Sequence, residues 1–210
     1  AAMDALPTRT ATHAAWNGQW QQAHDTVAAA LEAPPADADA LTEPQVSRVL
    51  SAHIPPEHAW MLASSMPVRD AQRYAVGISA ARDAPTTLLI GDLATWHDVN
   101  ALALLHEHPV IAVIVNNDGG GIFHFLPIAA HDDVFEPHFT TPHGRSFEAV
   151  AHAFDLPYAR PATADELAAA YRSACDDGRS ALIEVRTDRH ENADVHADLD
   201  AHVAAALRDA

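Results

Sequence analysis

The chain has 210 residues, 49% of them hydrophobic, and a formal net charge of −17 at neutral pH; that is long enough for one good core with an appended piece and too short for two full-sized domains. All twelve cationic residues are arginine, so the acidic field argues against nucleic acid and membranes as partners, and it fits a protein built for high salt, where screening weakens self-repulsion. No apolar run approaches the roughly eighteen residues that would span a bilayer, "AAMDALPTRT" has no basic-then-apolar leader pattern, and the single Cys175 permits neither an internal disulfide nor a thiolate zinc site, so the expectation is a soluble, cytoplasmic protein held by an apolar core.

In chain order, residues 1–40 read as a helical arm and linker, with Trp16, Trp20, Ala23, Val27 and Leu31 at helical spacing before "PPADADALTEP" breaks the pattern. Residues 41–210 read as a single domain. Thr42, followed by Glu43, Pro44 and Gln45, predicts an N-cap with proline and acid in the first turn of a helix through Val46, Val49 and Leu50. "AWMLASSM" is a short apolar run with a polar end, and "DAQRYAVGISAARDA" is helical in pattern. After Pro85, short non-alternating apolar runs ("TTLLIGDL", "VIAVIVNND", "LPYARP", "SALIEVRT") alternate with helical patterns ("WHDVNALALLHEH", "SFEAVAHAF", "TADELAAAYRSACDD"), and a last helix closes the chain. This succession predicts an α/β fold, a mostly parallel sheet with helices on both faces.

In such a sheet the carboxyl ends of the strands share one edge, where ligands bind. Asp92 and the cluster Asn116, Asn117, Asp118 should therefore emerge together, with Thr95 capping the intervening helix and Val99, Leu102 and Leu105 facing the sheet. One carboxylate, two carboxamides and the turn Gly119-Gly120-Gly121 are hard oxygen donors and exposed backbone, which suits Mg²⁺ or Ca²⁺ and the phosphates that Mg²⁺ carries. Taken singly, "GD" and "NNDGGG" are equally ordinary turns. His131, His138 and His143 lack the i, i+4 spacing of a helical metal pair and read as surface-loop residues.

Gly91-Asp92 and Asn116-Asn117, separated by a strand-crossing helix, resemble the GD…NN signature of thiamine-diphosphate-dependent enzymes. "SSMPVRD" (64–70), "GDLATWHDVNALALL" (91–105) and "NNDGGGIFHFLP" (116–127) resemble more particularly the C-terminal domain of the 2-succinyl-5-enolpyruvyl-6-hydroxy-3-cyclohexene-1-carboxylate synthases of menaquinone biosynthesis, over residues 41 to about 187. The resemblance implies a transferase that uses thiamine diphosphate with Mg²⁺ (or Mn²⁺), decarboxylates 2-oxoglutarate and adds the product carbanion to isochorismate. It implies metal ligands Asp92, Asn117 and the Gly119 carbonyl. Gly91, Asp92, Leu93, Asn117, Gly119, Gly120 and Ile122 would meet the cofactor, and Ser65, Arg69, Ile122, Phe123 and Leu126 the substrates. Arginine suits such a role because its planar fork grips a carboxylate bidentately.

The departures from that pattern are as informative. The family carries a longer segment between its counterparts of Arg69 and Asp92, so residues are expected to be missing near Ala75. The glutamate that activates the aminopyrimidine ring is expected on a separate pyrimidine-binding domain, supplied by a second subunit of a homo-oligomer, dimer or tetramer. The chain is then a fragment, inactive alone and without a catalytic residue of its own. The alternatives are another thiamine-diphosphate 2-oxoacid enzyme, of acetohydroxyacid synthase or decarboxylase type, and a non-catalytic assembly module that keeps the fold.

Overall fold

A run such as "VIAVIVN" has no polar face to give to water, so a strand made from it must be covered on both sides. The computed structural model, which describes residues 11–32, 41–74, 85–106 and 109–208, does this with a five-stranded sheet. The strands are β1 (Ala59–Leu62), β2 (Thr86–Gly91), β3 (Val110–Asn116), β4 (Tyr158–Ala159) and β5 (Ala181–Arg186), in the order β1-β2-β3-β5-β4. Every pairing is parallel. The expected α/β class is what forms.

Alternate residues of β3 feed two cores. Ile111, Val113 and Val115 point to one, where Val46 and Leu50 of α2 (Glu43–His53) and Leu167 and Tyr171 of α7 (Ala164–Asp177) cover them. Ala112 and Ile114 point to the other, with Phe147, Leu156 and Ala151 of α6 (Glu148–Ala153) and Leu102. The connection from β4 to β5 runs back across the sheet while that from β2 to β3 runs forward. Right-handed crossovers then put α7 and the β2–β3 connection on opposite faces.

Local chemistry sets the helix ends. Thr42 is the N-cap of α2: its hydroxyl accepts from Gln45 N–H while the Gln45 side chain accepts from Thr42 N–H at 2.9 Å, a reciprocal box. Gly178, at φ 61°, ends α7 in the left-handed conformation that glycine adopts freely. The connection after β2 differs from expectation. Helix α4 (Asp92–His97) begins directly at Asp92 with Gly91 as N-cap, and Thr95 lies inside it, its hydroxyl donating to the Gly91 carbonyl at 2.9 Å. Asp98 then breaks the α geometry, and a 3₁₀ segment, Val99–His106, carries the chain to β3. Leu102 is nonetheless buried, with Val99 and Leu105 packed beside it, as the apolar spacing predicts.

Helix α3 (Met66–Tyr74) follows β1, and a one-turn helix, α5 (Asp132–Phe135), lies between β3 and α6. The rest of the helical pattern there, and the junction expected near Ala75, lie outside the described residues. The chain groups into two units, one of residues 37–196 and one of 1–36 with 197–210. In the latter, α1 (Ala11–Glu32) holds Trp16 and Trp20 edge to face, ring centroids 5.8 Å apart, and both are exposed. The last helix, α8 (Arg189–Arg208), has its first residues in the sheet unit. No helix of the described residues is long and apolar enough to cross a membrane.

One buried polar contact tests the first core. The hydroxyls of Thr87 and Tyr171, both fully buried, lie 2.5 Å apart. Tyr171→Phe leaves the Thr87 oxygen without its partner, and the expected cost is about 1–3 kcal/mol. It should appear in urea unfolding as a lower midpoint with an unchanged slope.

Candidate functional site

Since all strands are parallel, the ends of β1, β2, β3 and β5 open on one edge, and register places them side by side: Gly91 pairs with Val115 and Asn116 with Arg186. Asp92, the first residue beyond β2, is 2% exposed. Its Oδ1 accepts from Leu93 N–H at 2.7 Å; its Oδ2 accepts from Gly119 N–H at 2.9 Å and lies 3.0 Å from His143 Nε2. An ionised carboxylate offers about four acceptor positions. Three are in use here, which leaves Oδ1 room for one more positive partner.

The two asparagines that end β3 are used differently. Asn116 is fully committed: its Nδ2 donates to Glu184 Oε1 at 2.7 Å and to the Arg145 carbonyl at 2.9 Å, and its Oδ1 accepts from Asp118 N–H at 3.1 Å. It locks the turn. Asn117 donates from Nδ2 to Glu43 Oε1 at 2.8 Å, while its Oδ1 is buried with no hydrogen-bond partner. A buried amide oxygen left bare costs free energy unless something positive meets it. Beside Asp92, this donor set fits a hard divalent cation.

The glycines make the turn possible, each in its own way. Gly119 has φ +138°, and a Cβ there would stand 2.0 Å from the Thr140 carbonyl oxygen. At Gly120 it would meet the Phe139 carbonyl at 2.6 Å, and at Gly121 the Asn117 Nδ2 at 2.5 Å. Asp118, at φ 63°, accepts from His143 N–H at 3.0 Å and Gly144 N–H at 2.6 Å. Burial alone would raise the Asp118 carboxyl, but these two amides, with His143 and Arg189, hold it below its ordinary value.

Three residues belong to this site that sequence reading did not put there. His143, expected on a surface loop, reaches in to Asp92. Its Nδ1 accepts from Arg145 N–H at 3.0 Å, so Nε2 carries the proton donated to Asp92. Arg189 donates to the Asn117 and Asp118 carbonyls, at 3.3 and 3.1 Å, and to Glu136 at 3.0 Å. Glu43, at the first turn of α2, is 2% exposed; burial, aided by the charge of Asp70, pushes its carboxyl up to about 7 against the pull of Asn117 and Thr187. Its only sequence signal, an acid after an N-cap, points to the helix dipole and not to residue 117.

The remaining candidates fall as follows. Ser65, at φ 79°, and Arg69 are exposed beyond β1, and Arg69 folds back so that one N–H donates to the Ser65 carbonyl at 2.6 Å. Ile122 and Phe123 are half-buried and Leu126 is 48% exposed, and none of the three belongs to either core. Gly91 and Leu93 flank Asp92 and are half-buried. Away from Asp92, the ligand atoms of His124, Glu136 and His190 come within 4.8 Å of one another, but the Arg189 guanidinium already occupies Glu136.

Known proteins carry the same pattern. Residues 71–185 match the family described as thiamine pyrophosphate enzyme, C-terminal TPP binding domain. The chain is 48% identical to a 2-succinyl-5-enolpyruvyl-6-hydroxy-3-cyclohexene-1-carboxylate synthase of Salinibacter ruber, with 100% of the chain and 40% of that protein covered. It is 44% identical to the synthase of the same name from Rubrobacter xylanophilus, over 91% of the chain and 38% of the relative. The chain thus spans about two fifths of the length of these relatives. Among solved structures, a thiamine diphosphate-dependent 4-hydroxybenzoylformate decarboxylase of Rhodococcus jostii superimposes with a TM-score of 0.62 at 21% identity, covering 73% of the chain and 34% of that structure. At that identity the likeness speaks for the fold.

Gly119 and Gly91 provide a matched pair for testing the turn. Gly119→Ala meets the Thr140 carbonyl in a backbone conformation that L-residues rarely adopt, whereas a Cβ on Gly91 meets nothing within 4 Å. The expected cost is above about 2 kcal/mol for Gly119→Ala and within about 0.5 kcal/mol for Gly91→Ala, read from denaturant midpoints.

Proposed function

The chain belongs to the thiamine pyrophosphate enzyme family through its C-terminal TPP-binding domain, and on that premise we propose that it is the diphosphate- and Mg²⁺-binding part of a synthase that decarboxylates 2-oxoglutarate and adds the four-carbon carbanion to isochorismate, in menaquinone biosynthesis. The observation that carries the metal half of this reading is the bare, buried Oδ1 of Asn117 beside an Asp92 with one acceptor position to spare. The substrate half rests on the 48% identity that spans the whole chain.

In this reading Asp92, Asn117 Oδ1 and the Gly119 carbonyl hold Mg²⁺ (or Mn²⁺), with Gly91, Leu93 and Gly120 lining the place of the diphosphate. Thiamine diphosphate, when bound, supplies the carbanion-stabilising chemistry. The chain's own residues anchor and orient. Ile122, Phe123 and Leu126 form an apolar wall; their exposure outside both cores is what a surface waiting for a ligand or a neighbouring domain would have. Ser65 and Arg69, on the same sheet edge, hold substrate carboxylates.

Residues 1–40 would then be the arm leading from a preceding domain and 41–210 the cofactor domain. The glutamate needed to activate the aminopyrimidine would come from a pyrimidine-binding domain of a second subunit, in a cytoplasmic dimer or tetramer. Similarity to the Salinibacter protein runs over 237 positions, more than the 210 residues present. That excess supports a segment of the relatives with no counterpart here, expected between Arg69 and Asp92.

Two measurements in the full-length protein test the reading. Asp92→Ala and Asn117→Ala should each abolish Mg²⁺-dependent binding of thiamine diphosphate in calorimetry while the protein still unfolds cooperatively; parental affinity in either variant removes that residue from the metal site. Arg69→Lys keeps the charge and loses the fork, so kcat/KM for 2-oxoglutarate or isochorismate should fall about 10-fold or more with cofactor affinity unchanged. If Arg69 makes only an exposed contact, worth roughly 0–1 kcal/mol, both values of kcat/KM stay near the parent's.

A further inference from the structure

Resting on the proposed metal site, the geometry points to one more member of it: Glu43 is the positioning residue that aims the Asn117 carboxamide at the divalent cation. A carboxamide is nearly symmetric in shape and opposite in charge at its two ends. Turned over, Asn117 would present an NH₂ group to the metal and destroy the site. Something must choose the orientation, and it must be a group that accepts.

Glu43 Oε1 accepts from Asn117 Nδ2 at 2.8 Å and lies 3.4 Å from the Thr187 hydroxyl, which has no other acceptor among these contacts. The opposite atom, Asn117 Oδ1, is left bare. Gly121 contributes by absence, since a Cβ there would stand 2.5 Å from Asn117 Nδ2. Glu43 is itself fixed by the reciprocal cap of Thr42 and Gln45, which sets the first turn of α2. The carboxylate therefore comes from a helix that is not part of either strand-end loop, 74 residues away from Asn117 in sequence. A partner behind a metal ligand that fixes its orientation is commonly worth about 10- to 100-fold in metal affinity.

The alternative is that Glu43 only fills space beneath the loop, in which case its loss would lower stability and leave the metal dependence alone. Swapping donor and acceptor separates the two. Thiamine diphosphate binding is measured by calorimetry in the full-length protein across a Mg²⁺ series, with ligand-free thermal unfolding recorded for each variant. Glu43→Leu should raise the Mg²⁺ concentration for half-maximal binding about 10- to 100-fold, and Glu43→Gln, whose carbonyl can still accept, should stay within about 3-fold of the parent. Asn117→Asp sets two acceptors against each other and should abolish binding. Adding Glu43→Gln to Asn117→Asp restores a donor on the other side, and should recover at least about 10-fold of the lost Mg²⁺ sensitivity.

Parental Mg²⁺ dependence in Glu43→Leu overturns the proposal. So does a swap that recovers nothing, and that arm decides the matter even where Glu43→Leu fails to fold. A parent protein that binds no thiamine diphosphate at any Mg²⁺ concentration overturns instead the functional reading on which the proposal stands.

Discussion

The turn after β3 hangs on one buried carboxylate, Glu184. It sits on β5 with no exposure, and it accepts from Asn116 Nδ2, from Phe147 N–H at 2.8 Å and from the Tyr158 hydroxyl at 2.8 Å, with Arg186 at 3.7 Å. A buried charge is tolerable only when its lone pairs are met by hydrogen bonds. Here those bonds come from three different elements: the end of β3, the start of α6 and the edge strand β4. Satisfying Glu184 therefore fixes Asn116, and Asn116 in turn fixes Asp118 N–H and the course of the chain into the three glycines.

The same strand ends carry two more buried acids, Asp92 at the end of β2 and Glu43, which takes hydrogen bonds from Asn117 and Thr187. Glu184 has three donors in place, whereas the Glu43 carboxyl is pushed up by burial, by the charge of Asp70 and, to a smaller extent, by that of Asp92. The edge thus has one carboxylate met by donors from three elements and another, Asp92, with one acceptor position to spare. A divalent cation would fill that position, and the oxygens of Asp92 and Asn117 are the hard donors that suit Mg²⁺ or Ca²⁺ better than softer metals.

How much of this could be read from the sequence follows the range of the interactions. Apolar runs and their spacing reveal the parallel sheet, its two covered faces and the inward residues Leu102, Val99 and Leu105, because burial on a strand or helix is a local pattern. The Thr42 cap was legible for the same reason. Asp92 and Asn117 were legible as candidates because both sit directly at strand ends, whose common edge is fixed by parallel topology. Thr95 was misassigned, since its hydroxyl had two neighbours to serve, the helix start or the carbonyl four residues back, and sequence does not say which. Glu43, His143 and Arg189 were invisible in their roles. Each reaches its partner across the fold, from a helix or loop whose own sequence is fully explained by capping, turn formation or solvation.

Arg189 shows what the absence of lysine means for such a site. Its side chain is only 12% exposed, and its fork holds two backbone carbonyls, those of Asn117 and Asp118, together with the Glu136 carboxylate. A lysine ammonium is a point charge and could not span three acceptors in fixed directions; a planar guanidinium can. Burial alone would raise the Glu136 carboxyl, but the Thr140 hydroxyl and Arg189 hold it below its ordinary value, so the pairing stays charge-assisted. The same Thr140 gives its carbonyl to Gly120 N–H at 2.7 Å. Arg189 therefore grips the glycine turn from both sides, directly through the two carbonyls that precede Gly119 and indirectly through Glu136 and Thr140. A backbone carbonyl can serve as a metal ligand only if the peptide carrying it cannot turn away. At Gly119, where glycine permits almost any turn, the peptide is held on its far side by Gly120 N–H on the Thr140 carbonyl and by Gly121 N–H on its own carbonyl, and on its near side by Arg189 on the Asp118 carbonyl.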